Sequence, residues 1–171
     1  LRDNPIAISE AATGAPVVVA GWHPYDMVKI GDGNDGVFYD FAVDGTQATI
    51  TTPDFEDGYE YAICLTGLGC SATQNLLVSL YRETDAAYSV AWTSSNTSSG
   101  DTYAWIEIPI PRIAKTGHFV EYKAALTNLI ETGASGFWDA TVQKILRARI
   151  AWSSGNIDAG TAKLYRRGMQ G

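Results

Sequence analysis

ILRARIAWSSGNIDAGTAKLYRRG, residues 145–168, decides the fold. Two apolar, partly β-branched pieces flank SSGNIDAGT, residues 153–161. That nine-residue segment holds two glycines, two serines, an Asn and an Asp. A phosphate cradle would need a helix after the glycines and a lysine placed by it. A strand-like piece, TAKLYRR, follows instead. The segment therefore reads as a turn joining two strands. Gly155 and Asn156 suit positive φ, Ile157 reaches back to the core, and Gly160 relieves crowding where the chain re-enters the sheet.

Working outward, the same two-residue period recurs. In GYEYAICLTGL, Tyr59, Tyr61, Ile63 and Leu65 share a face. In NLLVSLYRE, Leu76, Val78 and Leu80 oppose Leu77, Ser79 and Tyr81. AYSVAW is a further short strand. In TYAWIEIPIPR, Ala104, Ile106 and Ile108 oppose Tyr103, Trp105 and Glu107; Pro109 and Pro111 cannot donate to a ladder, which places this strand's end at an edge. VFYDFAV puts Val37, Tyr39, Phe41 and Val43 on one side, and Asp44-Gly45 is a hairpin signal before the Thr-rich strand 46–52.

Three other segments complete the pattern. GHFVEYKAALTNLIETG, residues 117–133, fits a helical stripe through Phe119, Tyr122, Leu126, Leu129 and Ile130, and also fits a long strand. Its all-β surroundings favour the strand. GASGF reads as a turn. DATVQKILRARIAW reads as one strand with Val142, Lys144, Leu146, Ala148 and Ile150 facing one way. The sum is about nine or ten short strands with turn signals between them and no βα alternation. The expected fold is all-β: an antiparallel two-sheet sandwich, jelly-roll-like. Residues 1–15 read as an extended N-terminal arm and residues 16–171 as a single β-sandwich domain.

Composition limits the function. At 171 residues the chain can bury a full core without a metal or disulfide staple. A formal net charge of −7 argues against nucleic acid as a partner of the surface. Arg147 with Arg149, and Arg166 with Arg167, read as solvated strand edges. No run approaches the roughly 20 apolar residues of a membrane helix. Cys64 and Cys70 read as free thiols, and hence as marks of folding in a reducing cytoplasm.

Chemistry-bearing candidates are few. His23 reads as a packing residue of a loop and His118 as a surface residue where a strand begins. Asp54, Glu56, Asp57 and Glu60 form an acidic cluster; paired carboxylates flanking a sugar cleft could hydrolyse a glycoside, while an acidic turn is the blander reading. In GDGNDG, residues 31–36, Asp32, Asn34 and Asp35 offer hard oxygen ligands of the kind calcium prefers, and the same residues suit any tight turn. No other cofactor is indicated. Aromatic rings in loops can stack on sugars, and Trp22, Tyr25 and Trp138 are the candidate carbohydrate-binding residues; Trp105, alternating within a strand, reads as core.

The closing phrase 145–168 resembles the last strand pair of a β-sandwich domain common in tailed-phage structural proteins. The stretch FEDGYEYAICLTGLGCSATQNLLVSLYRETDAAYS resembles the same family, through Asp57, Tyr59, Tyr61, Gly67, Leu68, Leu76 and Leu80. The resemblance implies a non-enzymatic virion component, made in the bacterial host cytoplasm: a capsid decoration protein, a head fibre or a tail fibre. It implies other virion proteins as partners and a homo-oligomer, with a trimer as one form. A module recognising host surface glycan is the alternative reading.

Overall fold

The computed structural model describes residues 22–24, 39–40, 48–70, 73–95, 102–126 and 129–169. Eleven strands are present among them, and no helix. They are β1 (His23–Pro24), β2 (Tyr39–Asp40), β3 (Thr49–Thr51), β4 (Tyr59–Gly69), β5 (Leu76–Arg82) and β6 (Ala87–Thr93). β7 (Thr102–Ile108), β8 (Lys115–Leu126), β9 (Leu129–Gln143), β10 (Ile145–Trp152) and β11 (Ala159–Gly168) follow.

The strands form two antiparallel sheets. One runs β1-β11-β4-β7-β8-β9, with β2 also on β11; the other runs β3-β10-β5-β6. The pairings are nested. β5 pairs β6, β4 pairs β7, β3 pairs β10, and β2 pairs β11. That is the pattern of one long hairpin rolled up until β11 meets β4 and β10 meets β5, which is a jelly roll. One element stands outside the nesting. The β8–β9 hairpin is inserted between β7 and β10 and extends the larger sheet beyond the nested pairs.

The alternation read from the sequence fills the space between the sheets. Tyr61, Ile63 and Leu65 of β4, Leu76, Val78 and Leu80 of β5, Ala104, Ile106 and Ile108 of β7, and Ile150 and Trp152 of β10 are all buried there. A second apolar cluster lies on the other face of the larger sheet: Trp22, Ala62, Cys64, Trp105 and Tyr165. The sheet is thus covered on both sides near β4 and β11, which is why Trp105 is buried although it alternates away from Ile106.

The 153–161 turn behaves as its residues dictate. Gly155 has φ +80° and Ile157 is fully buried. Gly160 has φ +98°, and a Cβ there would lie 2.4 Å from the Gly67 carbonyl oxygen. Asn156 is not in the positive-φ region.

Four expectations are corrected. Residues 117–133 are neither a helix nor one strand: the chain reverses between Leu126 and Leu129, which are register partners. GASGF is not a turn; it lies inside β9, its glycines opposite aromatic or backbone groups of β8. DATVQKILRARIAW is two strands in different sheets, broken at Lys144, and a bulge between Ile145 and Arg147 turns Ile145 inward. Val142 therefore faces solvent instead of sharing a face with Ala148 and Ile150. Finally, β7 is not at an edge but lies between β4 and β8; it stops at Ile108, so Pro109 and Pro111 fall in the following turn, where no ladder donor is required. The strand 37–43, apart from Tyr39 and Asp40, and the Asp44-Gly45 turn lie outside the described residues.

Candidate functional site

The inserted hairpin separates two kinds of side chain. On β9, Glu131, Ser135, Phe137 and Asp139 turn toward the smaller sheet and are partly covered. Ile130, Thr132, Ala134, Gly136, Trp138, Ala140 and Val142 turn outward and are exposed. Ile130 is 72% exposed, Trp138 80% and Val142 54%, so this is an apolar row facing water. Phe119 of β8 adds to it at 37%.

Glycines shape this face. Gly117 pairs with Trp138, and Phe119 pairs with Gly136. The Trp138 ring lies over Gly117, where an added Cβ would come within 3.1 Å of it. A Cβ on Gly136 would come within 2.2 Å of the His118 carbonyl oxygen, so only glycine fits. Aromatic rings laid over cross-strand glycines are a known device for holding register in glycine-bearing strands. Between Phe119 and Trp138 lies a shallow cleft of about 440 Å³ floored by Gly117 and Gly136. Lys115 stands over the Phe119 ring, 5.3 Å from its centre.

The inner side of the hairpin anchors it. Tyr122 stacks on Trp92 of β6 with ring centres 4.4 Å apart. Asp139 pairs with Arg82 of β5, and its carboxylate also accepts from the Thr141 amide at 3.0 Å. Those two bonds, the amide first, hold its carboxyl below the usual range. Gln143 is fully buried and its Oε1 accepts from the Thr84 amide at 3.0 Å. His118 is buried as well, correcting its reading as a surface residue; its Nε2 donates to the Gln143 carbonyl at 2.9 Å. Burial holds this imidazole below its ordinary pKa, with the Gln143 bond opposing and the charge of Lys115 assisting.

The sequence candidates are distributed unevenly. Trp138 lies on the exposed row. Trp22 does not: it is 2% exposed, edge-on to Trp105 at 5.8 Å, with the Arg167 guanidinium 4.3 Å from its ring centre. Its reading as an exposed platform is corrected, because the outer face of the larger sheet buries it. Tyr25 and the proposed calcium ligands Asp32, Asn34 and Asp35 lie outside the described residues. Among the described residues no group of three or more His, Cys, Asp or Glu is placed to hold a metal.

Each carboxylate of the acidic cluster is paired with an arginine. Asp54 pairs with Arg147 at 2.9 Å, Glu56 with Arg166 at 3.0 Å, Asp57 with Arg112 at 3.2 Å and Glu60 with Arg167 at 2.7 Å. The arginines are not solvated edges. Arg147 and Arg149 sit on β10 and Arg166 and Arg167 on β11, both interior strands, and three of them also lie on rings: Arg147 on Tyr81, Arg149 on Tyr88 and Arg166 on Tyr59. Cys64 and Cys70 are buried and form no disulfide, and burial pushes the Cys64 thiol up to about 11.

No family model, curated protein or solved structure matches this chain. Its function is therefore read from the hairpin and its surroundings. What the sequence missed there was the hairpin itself. The only signal was the alternation Ile130, Thr132, Ala134, Gly136, Trp138, which the glycines of GASGF masked as a turn.

Proposed function

We propose that the chain is a non-enzymatic structural subunit of a phage particle, a decoration protein or a head or tail fibre, that docks onto other virion subunits through the β8–β9 hairpin. The observation that carries this reading is an apolar row, Ile130 to Val142, on an element added to an otherwise complete jelly roll. Monomeric proteins rarely leave such a patch to water unless it binds something. The family resemblance of the 145–168 phrase supplies the setting. The test is incorporation: wild-type protein should co-purify with particles, and Trp138→Lys should reduce its occupancy at unchanged fold. A wild-type protein that never enters particles rejects the proposal.

A second reading is favoured by the cleft between Phe119 and Trp138, whose open ring could stack on a sugar of a host glycan. Calorimetry with host surface polysaccharide should then give heat that Trp138→Ala abolishes. Equal heat from the variant rejects this site.

A further inference from the structure

The longest strand among the described residues is also an edge among them. β9 has fifteen residues and pairs only with β8, so among the described residues one whole side of it lacks a strand partner. Edges of this kind are normally blunted by proline, lysine, a bulge or brevity. From Leu129 to Gln143 there is no proline, lysine or arginine, and the register with β8 is regular from Leu129 to Trp138. The two acidic groups are engaged: Glu131 accepts from the Ser95 amide at 2.7 Å, and Asp139 is held by Arg82.

We infer that β9 pairs antiparallel with β9 of a second copy of this chain, about a two-fold axis at Ala134, which joins the two larger sheets into one. The inference rests on the hairpin being a docking element and names what docks there.

Three observations select this occupant and this register. The first is backbone direction. Leu126 and Leu129 are the last register partners before the reversal and stand three residues apart. The closing pair of such a hairpin exchanges both hydrogen bonds, and the bonding then alternates along the ladder. Ile130, Thr132, Ala134, Gly136 and Trp138 therefore aim their N–H and C=O groups away from β8. An axis at Ala134 brings these residues opposite one another and satisfies them mutually. The second is side-chain matching. The axis sets Ile130 against Trp138 of the other copy, and does so twice, pairing the two most exposed apolar side chains in the hairpin. Thr132 meets Gly136, and the small Ala134 meets itself. The third is charge. Glu131 falls opposite Phe137 and Asp139 opposite Leu129, so no like charges are opposed. The hairpin carries two lysines against three carboxylates, so most of the −7 charge lies elsewhere on the chain. The paired segment is about 35 Å long, which suits a weak, concentration-dependent contact at the small end of specific interfaces.

The test is a single cysteine. Ala134→Cys puts two thiols across the axis at a Cα separation of about 5.5 Å, within disulfide reach. Mild oxidation of the full chain should give a covalent dimer. Thr132→Cys, whose copies lie roughly 14 Å apart on this register, should not. Sedimentation of wild-type protein should show mass doubling with concentration, strengthened by salt, which screens the shared negative charge. Ile130→Lys and Trp138→Lys should each weaken dimerisation by about tenfold or more with circular dichroism unchanged. A monomer at every concentration, a trimer, equal cross-linking at both cysteine positions, or a dimer indifferent to both lysine variants would each overturn the inference. A chain that enters particles as a monomer would sink the dimer and leave the docking proposal standing.

Discussion

On the smaller sheet the solvent-facing row includes Tyr81, Tyr88, Arg147 and Arg149. On the β8–β9 hairpin it is Ile130, Ala134, Trp138 and Val142. Both rows look outward, but they treat water differently. The arginines cover the tyrosine rings and Arg147 reaches the carboxylate of Asp54, so aromatic surface is shielded and charge is balanced. The guanidinium is weakly hydrated and stacks well, which suits it to this layer. Among the described residues nothing comparable covers the hairpin's aliphatic side chains. The difference teaches that exposed aromatic and apolar groups are finished off on one face and left available on the other.

The largest effect should come from separating the hairpin from the sandwich. Trp92→Ala removes a 3%-exposed ring that stacks on Tyr122, and should cost about 3–5 kcal/mol by denaturant unfolding. Hydrogen exchange should show β8 and β9 losing protection before β4 and β5; uniform loss would mean the hairpin is no separate unit. Next is Gly136→Ala. Its Cβ meets the β8 backbone, and the cost should be about 1–3 kcal/mol, again centred on β8 and β9. Full tolerance would show that the strands do not approach so closely.

Acid should act on the hairpin as well. His118 is buried neutral, so its folded pKa lies below the ordinary 6.5. As pH falls through 6.5 the unfolded chain takes up the proton first, so stability is full above that value and declines below it until the folded group also titrates. The neighbours Lys115 and Asp139 act in opposite senses on this proton. A His118→Gln variant should lose this part of the pH dependence in thermal melts between neutral and mildly acidic pH. An unaltered profile would place the proton uptake elsewhere.

Smaller still is the arginine layer. Arg149→Ala uncovers Tyr88 and should cost about 0.5–1 kcal/mol, with the lysine variant recovering part of it. Last, Ile130→Ser should change monomer stability by no more than about 0.5 kcal/mol, because the side chain is already in water. A large loss there would show that Ile130 is packed within the monomer, and the contrast between the two faces would fail.

Much of the sandwich was legible in the residues themselves. Period-2 alternation set Tyr61 with Ile63, Leu76 with Val78 and Ala104 with Ile106 on shared faces, and those faces form the core, because a strand can bury only every second side chain against one partner sheet. The closing turn followed from Gly155, Ile157 and Gly160 through local sterics. The candidate surface was not legible. Glycine has one meaning in a turn and another inside a strand, where Gly133 lies opposite the Tyr122 ring and Gly136 lies tight against the β8 backbone. Trp22 and Trp138 looked alike beside glycine-rich stretches, yet one is buried and the other almost free.

The sequence by itself settled which side chains alternate within most strands and that the chain turns at 153–161, since those depend on a residue and its near neighbours. Tertiary structure alone decided the rest: that Lys144 marks the passage from one sheet to the other, that four carboxylates meet four arginines distant in sequence, and that β9 is left on the rim. Those outcomes depend on which strands lie side by side, and pairing between distant segments is fixed by the shared core they close, not by any local pattern.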